Sequence, residues 1–490
     1  MKNVVVIGGG IGGLASAALL AKDGYKVVLF EKNKILGGRA RYLKMRGFTF
    51  DMGPSWYMMP EVFENFFSLF SLNVKDFYNL KRLDNHYRVF FEEGDVVDVS
   101  SDLKKNLETF RKFEADGDKK LKDILDDAKF VYDFSMNGLV FQDYRNLTSL
   151  IKPSIIKNFF KLNLFQSLDS YLKSKIKDHR LRKLLEFTTV FLGGSPFNTP
   201  AFYRLVTHAD FNLGIYYPLG GMYKVVEALE SLCNYYGVKI VKGSEVKRVG
   251  IENGRISSVF TKGKSYKTDA VVVNADMAFF ETKVLPKEYR SYDNGYWRKK
   301  TPSPSAFLIY LGLKDNLPLS KHHNLYFASD WDKHFDTVYN SRKLPKNPSF
   351  YWHVPSKTDP SLSPKGAHSV MILVPMPPGL FLNKIQEKKF CDMIISKFAE
   401  LNKINKIESK ILAKKIYSSR DFASDYNSYQ GSAFGLSHTL LQTALFRPRN
   451  YSKKLKNLFY VGHHTNPGIG VPPVLISSQI VYRLVKNELF

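Results

Sequence analysis

Residues 4–13 read VVVIGGGIGG, and Glu31 closes a second apolar run, Val27–Phe30, 18 positions after Gly13. Val4–Ile7 is short and β-branched, the character of a strand buried in a parallel sheet. Gly8 permits the tight turn that leaves it. Gly10 lets the backbone approach a pyrophosphate, and Gly13 lets a following helix lie close against the strand. That helix, about Gly12 to Lys22, is rich in Ala and Leu. It ends at Asp23-Gly24, where Gly24 suits a left-handed C-cap. A pyrophosphate at its N-terminus meets free N–H groups and the positive end of the helix dipole. Glu31 is placed to accept hydrogen bonds from ribose hydroxyls, and its charge argues against a 2′-phosphate and so against NADP. Lys32 follows directly and joins the cofactor-binding candidates. A GxGxxG alone also occurs in structural turns. Here strand, glycines, helix, second strand and acid stand in register, which marks a dinucleotide site.

One βαβ unit cannot make a sheet alone. Its natural partners are the β-rich runs Val238–Val241, Ala270–Val273 and Leu458–Val461. The expectation is a nucleotide-binding domain assembled from 1–75, 215–295 and 425–490, with 76–214 and 296–424 inserted as a substrate and membrane-associating domain. The run Ala270–Val273 ends in Asn274-Ala275-Asp276, and Asn274 and Asp276 join the candidates. Hairpins are expected near 41–50 and 86–99, and mostly lysine-rich helices over 100–190. Short strands follow at Glu245–Val249 and Ile256–Thr261. Strands and helices alternate over 300–420, and a last helix runs from about Val474 to Leu489.

Lys and Arg outnumber Asp and Glu by 72 to 46, a net charge of +26. An excess of this size points to an anionic surface. No nucleic-acid module is recognisable, and a general bias toward lysine is the alternative account. Between Leu150 and Leu185, nine Lys and Arg face two Asp. Ile155, Ile156, Phe159, Phe160 and Leu162 are expected on one side of a helix, with Lys157 and Lys161 on the other. A basic amphipathic helix of this kind lies in a membrane interface, although the same pattern serves a helix packed on a core. No apolar run approaches the roughly 18–20 residues that span a bilayer. Two cysteines, Cys233 and Cys391, offer neither a disulfide framework nor a metal spacing. Together these features predict a cytoplasmic protein held peripherally at a membrane.

Ile35-Leu36-Gly37-Gly38-Arg39-Ala40 is similar to an extension found in FAD enzymes of the glutathione-reductase-like group, with Arg39 adding charge near the phosphates or the flavin edge. A solvated surface charge is the plainer reading of Arg39. From end to end the chain resembles the phytoene desaturase family. The resemblance runs through FDMGPS, FLGGSPFNTPAFYRL, GIYYPLGGM, VVVNAD, GSAFGL and LLQTALFRP, and closes on NLFYVGHHTNPGIGVPPVLISSQIV. It implies a glutathione-reductase-like, FAD-binding Rossmann α/β fold with an inserted mixed α+β substrate domain. It also implies non-covalent FAD and a long apolar isoprenoid, such as phytoene or a related carotenoid precursor. Carried over by position, Gly8, Gly10, Gly13 and Glu31 hold the adenosine half, and Gly38 and Arg39 lie near the phosphates. Val246 offers backbone contact to the adenine, and Gly53, Pro54 and Ser55 lie beside the flavin. Gly462, Gly470 and Val471 run along the pyrophosphate and ring system, with Pro472 and Pro473 stiffening that wall.

The implied reaction passes a hydride to flavin while a proton leaves the neighbouring carbon, with quinone or oxygen as the final electron acceptor. The cofactor carries the chemistry; the protein orients the chain and excludes water. No catalytic residue is assigned. His464, in the pair His463-His464, is a weak candidate for proton acceptor, and packing is its alternative role. No third ligand is spaced to make that pair a metal site, and no metal is expected. His322-His323 reads as structural. A carotenoid isomerase or another flavin oxidoreductase of the same fold is the nearest rival. A non-enzymatic prenyl-binding chaperone resembling the GDP-dissociation inhibitors is the rival from another class.

Overall fold

β1 (Asn3–Ile7) and β2 (Lys26–Phe30) pair in parallel with Val4 beside Val27 and Ile7 beside Phe30. The helix α1 (Ile11–Lys22) crosses between them. In this computed structural model, which describes residues 1–145 and 153–489 and only the backbone of 153–156 and 159, the unit sits inside a five-stranded parallel sheet. Lys239–Val241 adds beside β2. Ala270–Val273 adds beside β1, and Leu458–Tyr460 beside that. The run of Val on β1 is explained by burial on both faces, where no polar residue would find a partner. α1 packs between the helices Tyr223–Tyr235 and Val471–Leu489. Gly24, just past Asp23, takes a left-handed φ of +88° and ends it.

A second, mixed sheet of seven strands stands apart. Its order is Ile411–Tyr417, Ser305–Leu313, His368–Met376, Phe350–His353, His323–Phe327, Asn85–Phe91, Val96–Ser100. The last two form the hairpin expected near 86–99, joined in parallel to His323–Phe327. Two segments more than 200 residues apart in the chain thus share one sheet. The expected hairpin near 41–50 is present as Tyr42–Met45 with Phe48–Asp51.

Two expectations are corrected at element ends. The strand placed at Glu245–Val249 begins only at Arg248 and runs to Glu252. Ser244 is drawn away because its N–H donates to the Glu31 carbonyl at 2.7 Å, and Glu245 accepts from Asn427 at 3.1 Å. The last helix begins at Val471, three residues early, because Pro472 and Pro473 fall in its first turn, where a missing N–H costs nothing.

The basic stretch is the larger correction. It is three short helices, Pro153–Leu162, Leu168–Lys175 and His179–Glu186. Leu162 is buried whereas Phe160 is exposed, so the two do not share a face; Ile155, Ile156 and Phe159 have side chains outside the described residues. Much of the positive charge is answered locally. Lys175 pairs with Asp127, and Arg180 with Asp95 and Asp178. Lys183 is buried and donates to the Ala328 and Ser329 carbonyls. Among the described residues no helix is long and apolar enough to cross a membrane.

Candidate active site

The glycine loop is built by exclusion of side chains. A Cβ on Gly13 would lie 2.0 Å from the Gly8 carbonyl oxygen, and one on Gly10 would lie 2.7 Å from Asn274 Oδ1. Gly8 itself turns at φ +101°, with its N–H bound to the Phe30 carbonyl at 2.8 Å. Asn274, at the end of its strand, donates to the Val461 carbonyl at 3.0 Å and packs against Gly10, Gly12 and Gly462. It thereby braces three chain segments as well as lining the cavity. The Gly37 N–H donates to the Gly9 carbonyl at 2.8 Å, which brings Gly38 and Arg39 over the same loop.

Glu31 stands at the end of β2, buried. One carboxylate oxygen accepts the Gly9 N–H at 2.7 Å and the other accepts the Asn33 N–H at 2.7 Å. An ionised carboxylate has about four acceptor sites, so two remain for a diol. Lys32 lines the cavity but is already committed, donating to the Ser424 carbonyl at 2.6 Å and Asn427 Oδ1 at 2.7 Å. Arg39 is not a solvated surface charge. It donates to the Ala433 carbonyl, to Ser428 Oγ at 3.2 Å and to the Ser432 carbonyl at 3.4 Å, and stacks over Tyr426. Burial pulls its pKa down, and Asp276 acts against that. Asp276 caps the turn Met277–Phe279, accepting the Phe279 N–H at 3.1 Å.

The structure places His463, not His464, on the cavity wall. His464 turns away, 3.6 Å from Asp276 and edge-on to Trp297. Burial pushes its pKa down to about 4 despite Asp276, with Arg39 and Arg447 adding to the fall. His464 faces Asp276 and is not among the residues that line the cavity. His322 and His323 form with His353 a buried cluster in which His323 stacks on Trp56 at 4.2 Å.

Several motif residues prove to be fasteners. Asp51 of FDMGPS accepts the Tyr217 hydroxyl at 2.7 Å and the Met222 N–H at 2.8 Å, locking that loop to YPLGGM. Gly53, Pro54 and Ser55 follow on the cavity wall. Arg447 of LFRP is buried and donates to the carbonyls of Leu436, Gln442, His463 and Thr465. Sequence reasoning assigned it no role, though FRP joined to VGHHTNPG was the signal.

One cavity of about 820 Å³ connects these parts. Among the described residues the charged ones in its wall are Glu31, Lys32, Arg39, Glu245, Asp276 and Asp425, and all lie at the sheet end. Val246, Gly462, Gly470, Val471 and Pro472 line that end too. Beyond Trp56 the described wall is Phe, Leu, Val, Met and Tyr, with a few small polar groups and two histidines. Phe165, Leu441 and Phe446 at the rim are 74%, 66% and 56% exposed. At the far end Trp331, His334 and Phe335 are buried.

The flavin containing amine oxidoreductase family matches residues 11–481. A carotenoid 3,4-desaturase of Haloarcula japonica is 40% identical over 479 residues, covering 98% of this chain and 97% of the relative. A zeta-carotene-forming phytoene desaturase of Myxococcus xanthus is 35% identical, covering 98% and 93%. The chain belongs to the phytoene desaturase family. Its fold is shared with an oxidoreductase from Methanosarcina mazei at a TM-score of 0.62 and 20% identity, covering 98% of this chain and all of that one. The chain is an FAD-dependent oxidoreductase. The sheet end fits that cofactor: three glycines where a Cβ would fill the cradle or the turn behind it, a carboxylate with free acceptor sites, and a helix N-terminus at Gly470–Pro472.

Proposed function

We propose that the chain desaturates a long apolar isoprenoid, a carotenoid or its acyclic precursor. The observation that carries the reading is the division of one cavity, with every charged wall residue among the described residues at the nucleotide end and an apolar passage beyond it. The desaturase names of its relatives support it.

When bound, FAD supplies the hydride acceptor. Gly8, Gly10, Gly13 and Gly38 would leave room for its pyrophosphate, Glu31 would receive the ribose hydroxyls, and Val246 would offer backbone contact to the adenine. Arg39, Gly462, Gly470, Val471 and Pro472 flank the phosphates and ring system, with Gly53, Pro54 and Ser55 at the flavin edge. Asn274, Asp276 and Lys32 hold these segments in place. Trp56, Phe187 and Phe191 keep the chain extended and water out, and their faces ease positive charge that builds on an allylic carbon. No side chain is assigned as base.

Segments 1–75, 215–295 and 425–490 form the FAD-binding unit in this reading, and 76–214 with 296–424 the substrate unit. The exposed apolar rim at Phe165, Leu441 and Phe446 serves as the portal, resting on an anionic membrane surface from which a water-insoluble substrate enters. Electrons leave to a quinone or to oxygen. The test is the pigment profile of cells that make acyclic carotenoids, with and without this chain. New bands at longer wavelength are expected; an unchanged profile across hydrocarbon and hydroxylated substrates overturns the reading.

A further inference from the structure

The apolar half of the cavity holds a donor with no protein acceptor. His334 lies on the helix Trp331–Tyr339, whose buried face is Trp331, His334, Phe335 and Val338. Its Nδ1 accepts the Ser349 N–H at 3.3 Å. That bond fixes the tautomer, because the remaining proton of the neutral ring must then sit on Nε2. Burial pushes the pKa down to about 4, so the ring is neutral. Nε2 is bonded to none of the described residues, yet it is not sealed in protein as the orphaned nitrogens of His86 or His323 are; it opens on the cavity that His334 lines. Ser349 lines the same place. Its Oγ accepts the Ala328 N–H at 3.0 Å, which leaves its own O–H as a second donor.

Two neighbouring donors are already paired. Trp331 donates to Glu186 at 2.7 Å, and the Tyr351 hydroxyl is shared between Ser55 and His323. Two donors without a protein acceptor therefore line the same, largely apolar chamber. A hydrocarbon end group would leave both unpaired in a dry wall, which is costly, whereas an oxygen with its lone pairs satisfies them.

We propose that His334 and Ser349 recognise an oxygen function, such as a terminal hydroxyl, at one end of the isoprenoid, so that the preferred substrate is oxygenated rather than a pure hydrocarbon. The inference rests on the desaturase reading above. It also gives the pair a positioning role. An anchored end fixes which carbon–carbon bond reaches the flavin, whereas an unanchored hydrocarbon can slide along the passage.

The experiment uses the purified FAD holoprotein and two acyclic carotenoids of one skeleton, differing only by a terminal hydroxyl. Wild type is expected to favour the hydroxylated substrate by about tenfold in kcat/KM, the worth of one net hydrogen bond, and to give a single product. His334→Phe is expected to lose the preference and to broaden the product distribution. His334→Gln, which keeps an N–H donor, is expected to recover part of both. Retained yellow flavin shows that a variant is folded, and Ser349→Ala replaces any variant that loses it. Equal kcat/KM for both substrates in wild type, or a preference that survives His334→Phe, overturns the inference. New bands with neither substrate overturn the desaturase reading on which it stands.

Discussion

Replacing Glu31 by Gln exchanges one carboxylate oxygen for an NH2 at the end of β2 and leaves the side-chain volume nearly unchanged. In the wild-type chain both oxygens are occupied, one by the Gly9 N–H and one by the Asn33 N–H, each at 2.7 Å, and the residue is 6% exposed. Whichever way the amide is turned, its NH2 points at one of these N–H groups, so a donor faces a donor. A buried N–H left without an acceptor costs about 1–3 kcal/mol. This part of the penalty is present with or without FAD, so it appears as a lower melting temperature of the apoprotein. The ribose contacts exist only in the complex. Exchanging a charged acceptor for a neutral amide there removes about 1.5–3 kcal/mol, or roughly 10–150-fold in FAD affinity. Glu31→Asp keeps the charge but withdraws it by one methylene, and is expected to fall between the two. The assay is a titration of apoprotein with FAD, followed by flavin fluorescence, beside thermal melts of the apoprotein. A Glu31→Gln chain that melts lower but binds FAD as wild type does would refute the ribose role and leave Glu31 a fastener of the glycine loop.

Gly13→Ala forces a Cβ to 2.0 Å from a carbonyl oxygen, so the purified variant is expected to lack yellow flavin; Gly24→Ala, with open space around it, is expected to keep its FAD and lose only about 1 kcal/mol of stability to its left-handed φ, both read by visible absorption and melting. Glu186 is held protonated up to about 7 by burial, so the stability it contributes is complete below its unfolded pKa and is lost as pH rises through about 7. Glu186→Gln keeps the acceptor for Trp331 without the charge, and the difference in melting temperature, variant minus wild type, is expected to grow from about pH 5 to about pH 8; parallel profiles would count against this. Changing Phe165, Leu441 and Phe446 together to Ser is expected to cut sedimentation with anionic vesicles while FAD content persists, and undiminished sedimentation would move the membrane contact elsewhere.

The nucleotide end was legible because its chemistry is local. Gly8, Gly10, Gly13 and Glu31 lie within one βαβ unit, and the clash that requires glycine at position 13 is with Gly8 in the same loop, although those at Gly8 and Gly10 are with the distant Asn274 and Ala275. The parallel sheet was legible too, since Ala270–Val273 and Leu458–Val461 are runs suited to strands buried on both faces, with Val238–Val241 adding the half-buried edge strand. Reading stopped where a residue's task depends on a distant partner. Arg39 is placed near the phosphates by its motif, but its bonds to Ala433 and Ser428 show only in the fold. Lys183 reads as part of a basic membrane face until the carbonyls of Ala328 and Ser329 cap it. His464 and His463 are adjacent in sequence, and only the fold decides which one meets the cavity.

The substrate passage is hard to read for a different reason. Its wall is drawn from segments as distant as Tyr132, Phe187, Leu325 and Leu441, and each of these residues alone looks like ordinary core. An apolar cavity and a packed interior use the same residue types, so hydrophobic patterning cannot separate them. What separates them is a polar residue on a face that patterning marks as buried. In the run Trp331, His334, Phe335, Val338 the helical spacing places His334 inward among aromatics. A histidine there costs least when each ring nitrogen finds a partner or borders a space where a ligand brings one. One nitrogen finds Ser349 and the other finds the cavity. The residue that breaks the apolar pattern is therefore the one that distinguishes a binding chamber from a core, and it also carries the chemistry by which substrates of equal length can be told apart.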